Sequence, residues 1–147
     1  MVQRRPQRSS QPMNDAEIST YLDARDEWAM LTTVGKDGFP HTVSIGYFRV
    51  GDDIYMGMRD DTQKIKNVER NAKASVLVTA SKTKGDVTGV MIQGEASIIR
   101  DDTARLELAQ EAAKQRGVAK SELPQEATPG GVYMKVTRRK AITWNFG

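Results

Sequence analysis

What most constrains the fold of this chain is the order in which extended and helical runs follow one another. Six stretches have the composition or period-two alternation of strands: Trp28 to Val34, Pro40 to Val50, Ile54 to Arg59, Ala74 to Ala80, Gly89 to Arg100 and Val132 to Phe146. Turn chemistry at Gly35-Lys36-Asp37-Gly38 makes a hairpin of the first two, and Gly51-Asp52-Asp53 turns the chain into the third. Helical runs stand before the first strand and after the third and fifth. Asn14-Asp15-Ala16-Glu17 is a capping-box start, and the stripe Ile18, Tyr21, Leu22 predicts a first helix to about Asp26. A second is predicted from about Thr62 to Asn71 on the recurrence of Ile65, Val68 and Ala72, and a third from Asp101 to Arg116, closed by Gly117. Ser81 to Asp86 reads as a polar loop, and the Pro- and Gly-bearing segment Ser121 to Gly131 as a loop that covers something. This order is not a βαβ alternation. It disfavours a parallel doubly wound sheet and predicts a small, mainly antiparallel barrel.

The junction Arg59-Asp60-Asp61-Thr62-Gln63-Lys64-Ile65-Lys66-Asn67 joins the third strand to the second helix and concentrates cations and a hydroxyl. Asp61 or Thr62 is suited to cap the helix, and Lys64 falls in its first turn. A cation there opposes the helix dipole unless an anion sits on the free amides and the lysine helps to hold it. Two readings stand on the local pattern: a phosphate-binding corner, or a solvated turn in which Asp60 and Asp61 neutralise Arg59 and Lys64. Gly57 leaves the strand face open one position before the junction.

Composition removes several classes of function. The 147 residues fit one domain, large enough to bury roughly two-thirds of its unfolded surface. Cysteine is absent and His41 is the single histidine, so thiolate sites, cysteine nucleophiles and a multi-histidine metal cluster are not available, and no metal is expected. No apolar run approaches the roughly 20 residues that span a bilayer, so no membrane partner is expected. Residues 1–13 read as a disordered basic tail ahead of a domain over 14–147. The tail has paired arginines without an apolar segment behind them, which fails as an export signal and points to a cytoplasmic protein. The net charge of +3 owes three cations, Arg4, Arg5 and Arg8, to that tail, and no basic helix or aromatic-basic interleaving is present, so nucleic acid is not an expected partner.

With these elements in order, the segments Asp37-Gly38-Phe39-Pro40-His41, Arg59-x-x-Thr62-x-Lys64-x-x-Asn67-Val68-x-Arg70-Asn71 and Gln93-Gly94-Glu95-Ala96, and the ending Ala141-Ile142-Thr143-Trp144-Asn145-Phe146, resemble the split β-barrel flavoproteins related to pyridoxamine 5′-phosphate oxidase. The likeness is strongest to the shorter bacterial branch of oxidoreductases that use coenzyme F420, an 8-hydroxy-5-deazaflavin. The resemblance implies a mainly β (α+β) fold, a six-stranded antiparallel split β-barrel with short peripheral helices, closed as a homodimer. It implies coenzyme F420 or, alternatively, FMN. Arg59, Thr62 and Lys64 then hold the cofactor phosphate, with Lys66 and Asn67 as weaker candidates.

The resemblance also lays the ring system against the first two strands, near Thr32, Thr33, His41 and Val43. The small side chains Thr42, Ser44 and Gly46 share one face there, though alternation with polar residues outside is also the ordinary pattern of a barrel strand. Gln93 is a candidate for the ring edge, His41 either a contact or an ordinary strand residue. Ile142, Trp144 and Phe146 share a face suited to core or dimer packing. The chain lacks the arginine-bearing carboxy-terminal substrate motif of pyridoxamine phosphate oxidase, and nothing singles out a general acid or base. The implied activity is hydride transfer between the cofactor and an unsaturated or carbonyl-bearing small molecule, the alternative being a non-catalytic flavin- or haem-binding protein on the same fold.

Overall fold

The computed structural model describes residues 12–24, 28–79 and 87–146. Most of the expected basic tail, the end of the first helix and the polar loop at 81–86 lie outside the described residues. The elements run α1 (Asp15–Ala24), β1 (Ala29–Val34), β2 (Pro40–Ile45), β3 (Phe48–Val50), β4 (Asp53–Arg59), α2 (Gln63–Arg70), β5 (Lys73–Thr79), β6 (Val87–Ile99), α3 (Asp102–Gln115), a single 3-10 turn (Lys120–Glu122) and β7 (Gly131–Phe146). Seven strands stand where six were expected, because the extended stretch from Pro40 to Val50 divides at Gly46-Tyr47 into β2 and β3.

All pairings are antiparallel, in the order β2-β1-β5-β6-β7-β4-β3. The two edge strands, β2 and β3, follow one another in the chain. Three residue steps from Ile45 to Phe48 span at most about 11 Å, so the sheet curls until its edges nearly meet, without closing. The inward residues Leu31, Ile54, Met56, Val76, Val90, Ile92, Met134 and Val136 are fully buried, and Ile18 and Leu22 of α1 with Ile65 and Val68 of α2 complete one core.

The capping box of α1 forms as the sequence predicts: the Glu17 amide donates to Asn14 Oδ1 at 2.8 Å and the Asn14 amide to Glu17 Oε1 at 3.2 Å. Tyr47 donates its hydroxyl to the Leu22 carbonyl at 2.6 Å, and Arg49 grips Asp23 through Nε and Nη2, which ties the helix to β3. The segment between α3 and β7 is held by Arg105. Its Nη1 donates to the Thr128 and Gly131 carbonyls at 2.8 and 2.9 Å.

Candidate functional site

Register brings several of the sequence-predicted residues together on the outer face of the sheet. Thr42, Thr32, Ser75, Gln93 and Lys140 stand directly opposite one another across β2, β1, β5, β6 and β7. Thr32 and Thr42 share a hydrogen bond at 2.9 Å, while the Gln93 amide has no hydrogen-bond partner among the described residues. Much of this row lines a shelf of about 440 Å³ whose rim carries Lys73, Arg139 and Lys140. Ser44 lies one row along and donates to Met30 Sδ at 3.4 Å. The shelf can receive a flat ring on small side chains and meet its edge with an amide.

At the start of α2 the solvated-turn reading holds for Arg59, which pairs with Asp61, but no such pair forms at Lys64 among the described residues. Thr62 is the N-cap by position, but its hydroxyl donates back to the Arg59 carbonyl at 3.1 Å and caps nothing. The first turn holds no acidic residue, and Lys64 within it has no partner among the described residues. Asp60 pairs with Arg100, which also reaches Glu69, and Asp61 pairs with Arg59. Each of these arginines pulls its aspartate's pKa below the usual carboxylate range. Neither acid pairs with Lys64, so among the described residues Lys64 and the leading amides of α2 are open to an anion. Lys66 is exposed and turns away from the core.

Three expected cofactor contacts have other roles. Thr33 and Asn67 are both 0% exposed and serve one another: Asn67 Nδ2 donates to Thr33 Oγ1 at 3.1 Å, and Asn67 Oδ1 accepts from Gln63 at 2.9 Å and Arg70 at 3.3 Å. This buried latch fastens α2 to β1, and Asn67 also backs the cleft beside the β1–β2 turn. Val43 turns from the Thr42–Ser44 face and packs against the core. Asn67→Ala is expected to cost about 1–3 kcal/mol, because it strands a buried hydroxyl. Urea unfolding measures it, and an unchanged midpoint would dismiss the latch.

His41 lines a separate cleft of about 660 Å³ between the β1–β2 turn and α2, with Lys36, Asp37, Phe39 and Gln63. Its buried Nδ1 has no hydrogen-bond partner among the described residues. Arg59 lines neither this cleft nor the shelf: its side chain is 79% exposed and borders a third cleft beside α3. Gly57 is exposed and leaves its strand face open, as expected, with the Tyr133 ring beside the place a Cβ would take.

Over residues 15–144 the sequence matches the pyridoxamine 5′-phosphate oxidase family. The chain belongs to that family. No curated protein matches it. Among solved structures it is similar to a conserved hypothetical protein of Mycobacterium tuberculosis, with a TM-score of 0.79 at 19% identity over 99% of this chain and 91% of that one. It is similar also to an F420 reductase, with a TM-score of 0.61 at 18% identity over 84% and 94% of the two chains. The heme storage protein HutZ of Vibrio cholerae gives a TM-score of 0.66 at 14% identity over 90% and 96%. At these identities the likeness is one of fold, and that fold carries both a reductase and a heme storage protein.

In this member of the pyridoxamine 5′-phosphate oxidase family, Ser75 and Lys140 were missed by sequence reasoning. The signal lay in strand pairing, which puts both in register with Gln93. Among the described residues no group of three or more metal-ligating side chains comes together, and no described helix is long and apolar enough to cross a membrane.

Proposed function

We propose that the chain is an oxidoreductase that holds coenzyme F420, with FMN as the alternative, and moves a hydride between it and an unsaturated or carbonyl-bearing small molecule. The observation that carries this reading is the start of α2, where Lys64 has no partner among the described residues, in a first turn that has neither an acid nor a side-chain cap. Such a terminus sets a cation against the helix dipole and fits an anion. Lys64 and the leading amides would hold the cofactor's phosphate or phosphodiester, and Thr32, Ser75 and Gln93 would lie under and beside its ring. When bound, the cofactor supplies the hydride chemistry. The protein's own part is to fix the two reactants face to face, and the proton that completes the reduction comes from solvent, so no general acid is needed in fixed position.

Titration with coenzyme F420 and with FMN, followed by fluorescence and the visible spectrum, tests the binding step. Hydride transfer from the reduced cofactor to an added enone or quinone tests the activity. Failure of both cofactors to bind would reject the reading, and tight binding without turnover would make the chain a flavin-binding protein. Haem is titrated alongside.

The same reading takes the chain as a homodimer. Met30, Leu77, Met91 and Ile142 stand opposite one another across β1, β5, β6 and β7, all only half-buried, and Trp144 lies beside them over Gly89. An apolar band of this kind on an outer sheet face is suited to a second copy. The side chain of Phe146, expected on the same face, lies outside the described residues. Light scattering at micromolar concentration is expected to give twice the chain mass, and a monomer that still binds cofactor would remove the dimer from the proposal.

A further inference from the structure

The cleft beside α3 shares no lining residue with the shelf or with the His41 cleft. It holds about 300 Å³ and is bordered by Gly57, Arg59, Arg105, Ala109, Pro129 and Tyr133. That volume is at the lower end of the range of small-molecule pockets. Its floor is aromatic. Gly57 and Tyr133 are cross-strand partners, and the Tyr133 ring comes within 3.3 Å of where a Cβ on Gly57 would stand. Phe48 meets that ring edge-on at 6.0 Å between centroids and stacks in turn on Tyr55 at 5.5 Å, so the floor is fixed.

One wall is fixed too. Arg105, its side chain 13% exposed, donates to the Thr128, Gly131 and Arg100 carbonyls and to Asp102, and so acts as a strut. Two groups at this cleft are not committed in this way. Among the described residues the Arg59 guanidinium pairs only with Asp61, at 3.3 and 3.5 Å, the two side chains being 79% and 72% exposed. A surface pair of that kind contributes little and exchanges readily for a better acceptor. The Tyr133 hydroxyl has no hydrogen-bond partner among the described residues. Burial raises its pKa, with Arg116 and Arg105 opposing, so it stays a neutral donor at physiological pH.

We propose that this cleft is a second ligand site, one that takes a small aromatic carboxylate whose ring lies on Tyr133 and whose carboxylate is held by Arg59. A planar guanidinium matches a carboxylate in two parallel hydrogen bonds, and an aromatic floor beside it favours a flat ring over an aliphatic chain. Ala109 and Pro129 add apolar lining to the same cleft. The Asp61 carboxylate that now occupies Arg59 is the acceptor such a ligand displaces.

The test uses benzoate as probe, with benzamide and acetate beside it, on the full chain by ligand-observed NMR and calorimetry. Wild type is expected to bind benzoate at least about tenfold more tightly than either, because benzamide lacks the charge and acetate the ring. Arg59→Gln is expected to weaken benzoate at least about tenfold and leave benzamide unmoved. Ala109→Phe, which fills the cleft and leaves residue 59 as arginine, is expected to abolish benzoate binding while circular dichroism confirms the fold. Equal affinity for benzoate and acetate, undiminished benzoate binding in Ala109→Phe, or no binding to wild type would each overturn the proposal. So would an Arg59→Gln variant that loses cofactor affinity and keeps benzoate, which would return Arg59 to the phosphate corner.

Discussion

Lys64→Ala is expected to weaken binding of the phosphorylated cofactor about ten- to a hundredfold, the loss of one charge-assisted contact worth roughly 1.5–3 kcal/mol. The apo-protein is expected to move the other way. Lys64 has no partner among the described residues, and it places a positive charge in the first turn of α2, against the helix dipole. Alanine removes that penalty and is itself the better helix former, so the unliganded variant gains up to about 1 kcal/mol in stability. A residue retained for the fold does not behave in this way. Thr62→Ala is expected to cost less in affinity, since its hydroxyl is spent on the Arg59 carbonyl. The cofactor chromophore without its phosphate serves as control and is expected to bind Lys64→Ala and wild type alike. Equal losses for both ligands would show damage to the site as a whole, and no loss for either would leave Lys64 a solvated cation.

The barrel was legible because its signals are local. Period-two runs, the turn at Gly35 to Gly38 and the capping box at Asn14 each act within a few residues, and their order disfavours a parallel doubly wound sheet. Gly46-Tyr47 was not legible as a strand break, since an extended stretch does not announce where the sheet ends and the chain crosses to the opposite edge. The site was half legible for a similar reason. Thr32, Thr42 and Gln93 fall on one face by parity alone, but whether a polar side chain on a helix faces a ligand or a neighbouring strand depends on docking. Asn67 and Thr33 met one another for that reason, and Arg59 came to line the cleft beside α3. Asp60 and Asp61 likewise read as neutralisers of the corner until Arg100, far along the chain, is seen to take Asp60.

Gly94, read from the sequence as part of the Gln93-Gly94-Glu95-Ala96 motif, has a packing role that predicts the largest effect on stability. Between Gln93 and Gly94 the register of β6 against β7 slips, from Gln93 opposite Lys140 to Gly94 opposite Arg138, so that Arg139 is the extra residue of a bulge. A Cβ at Gly94 would come within 1.8 Å of the Thr137 carbonyl oxygen, and because the obstacle is backbone, no rotamer change can relieve it. Gly94→Ala therefore has to reshape the bulge or part the two strands, at about 3 kcal/mol or more. For a chain of this length that lowers the melting temperature by roughly 6–12 °C. Gly89→Ala is the informative comparison. Its Cβ would come within 2.3 Å of the Trp144 indole, a side chain able to swing aside, so the cost is expected to be smaller and to appear as a change in tryptophan fluorescence. Thermal and urea unfolding of both variants decide the matter. If Gly94→Ala proves no more costly than Gly89→Ala, then the bulge is not pinned by the approach of Thr137, and the glycine of this motif has to be explained by what binds on the shelf it lines.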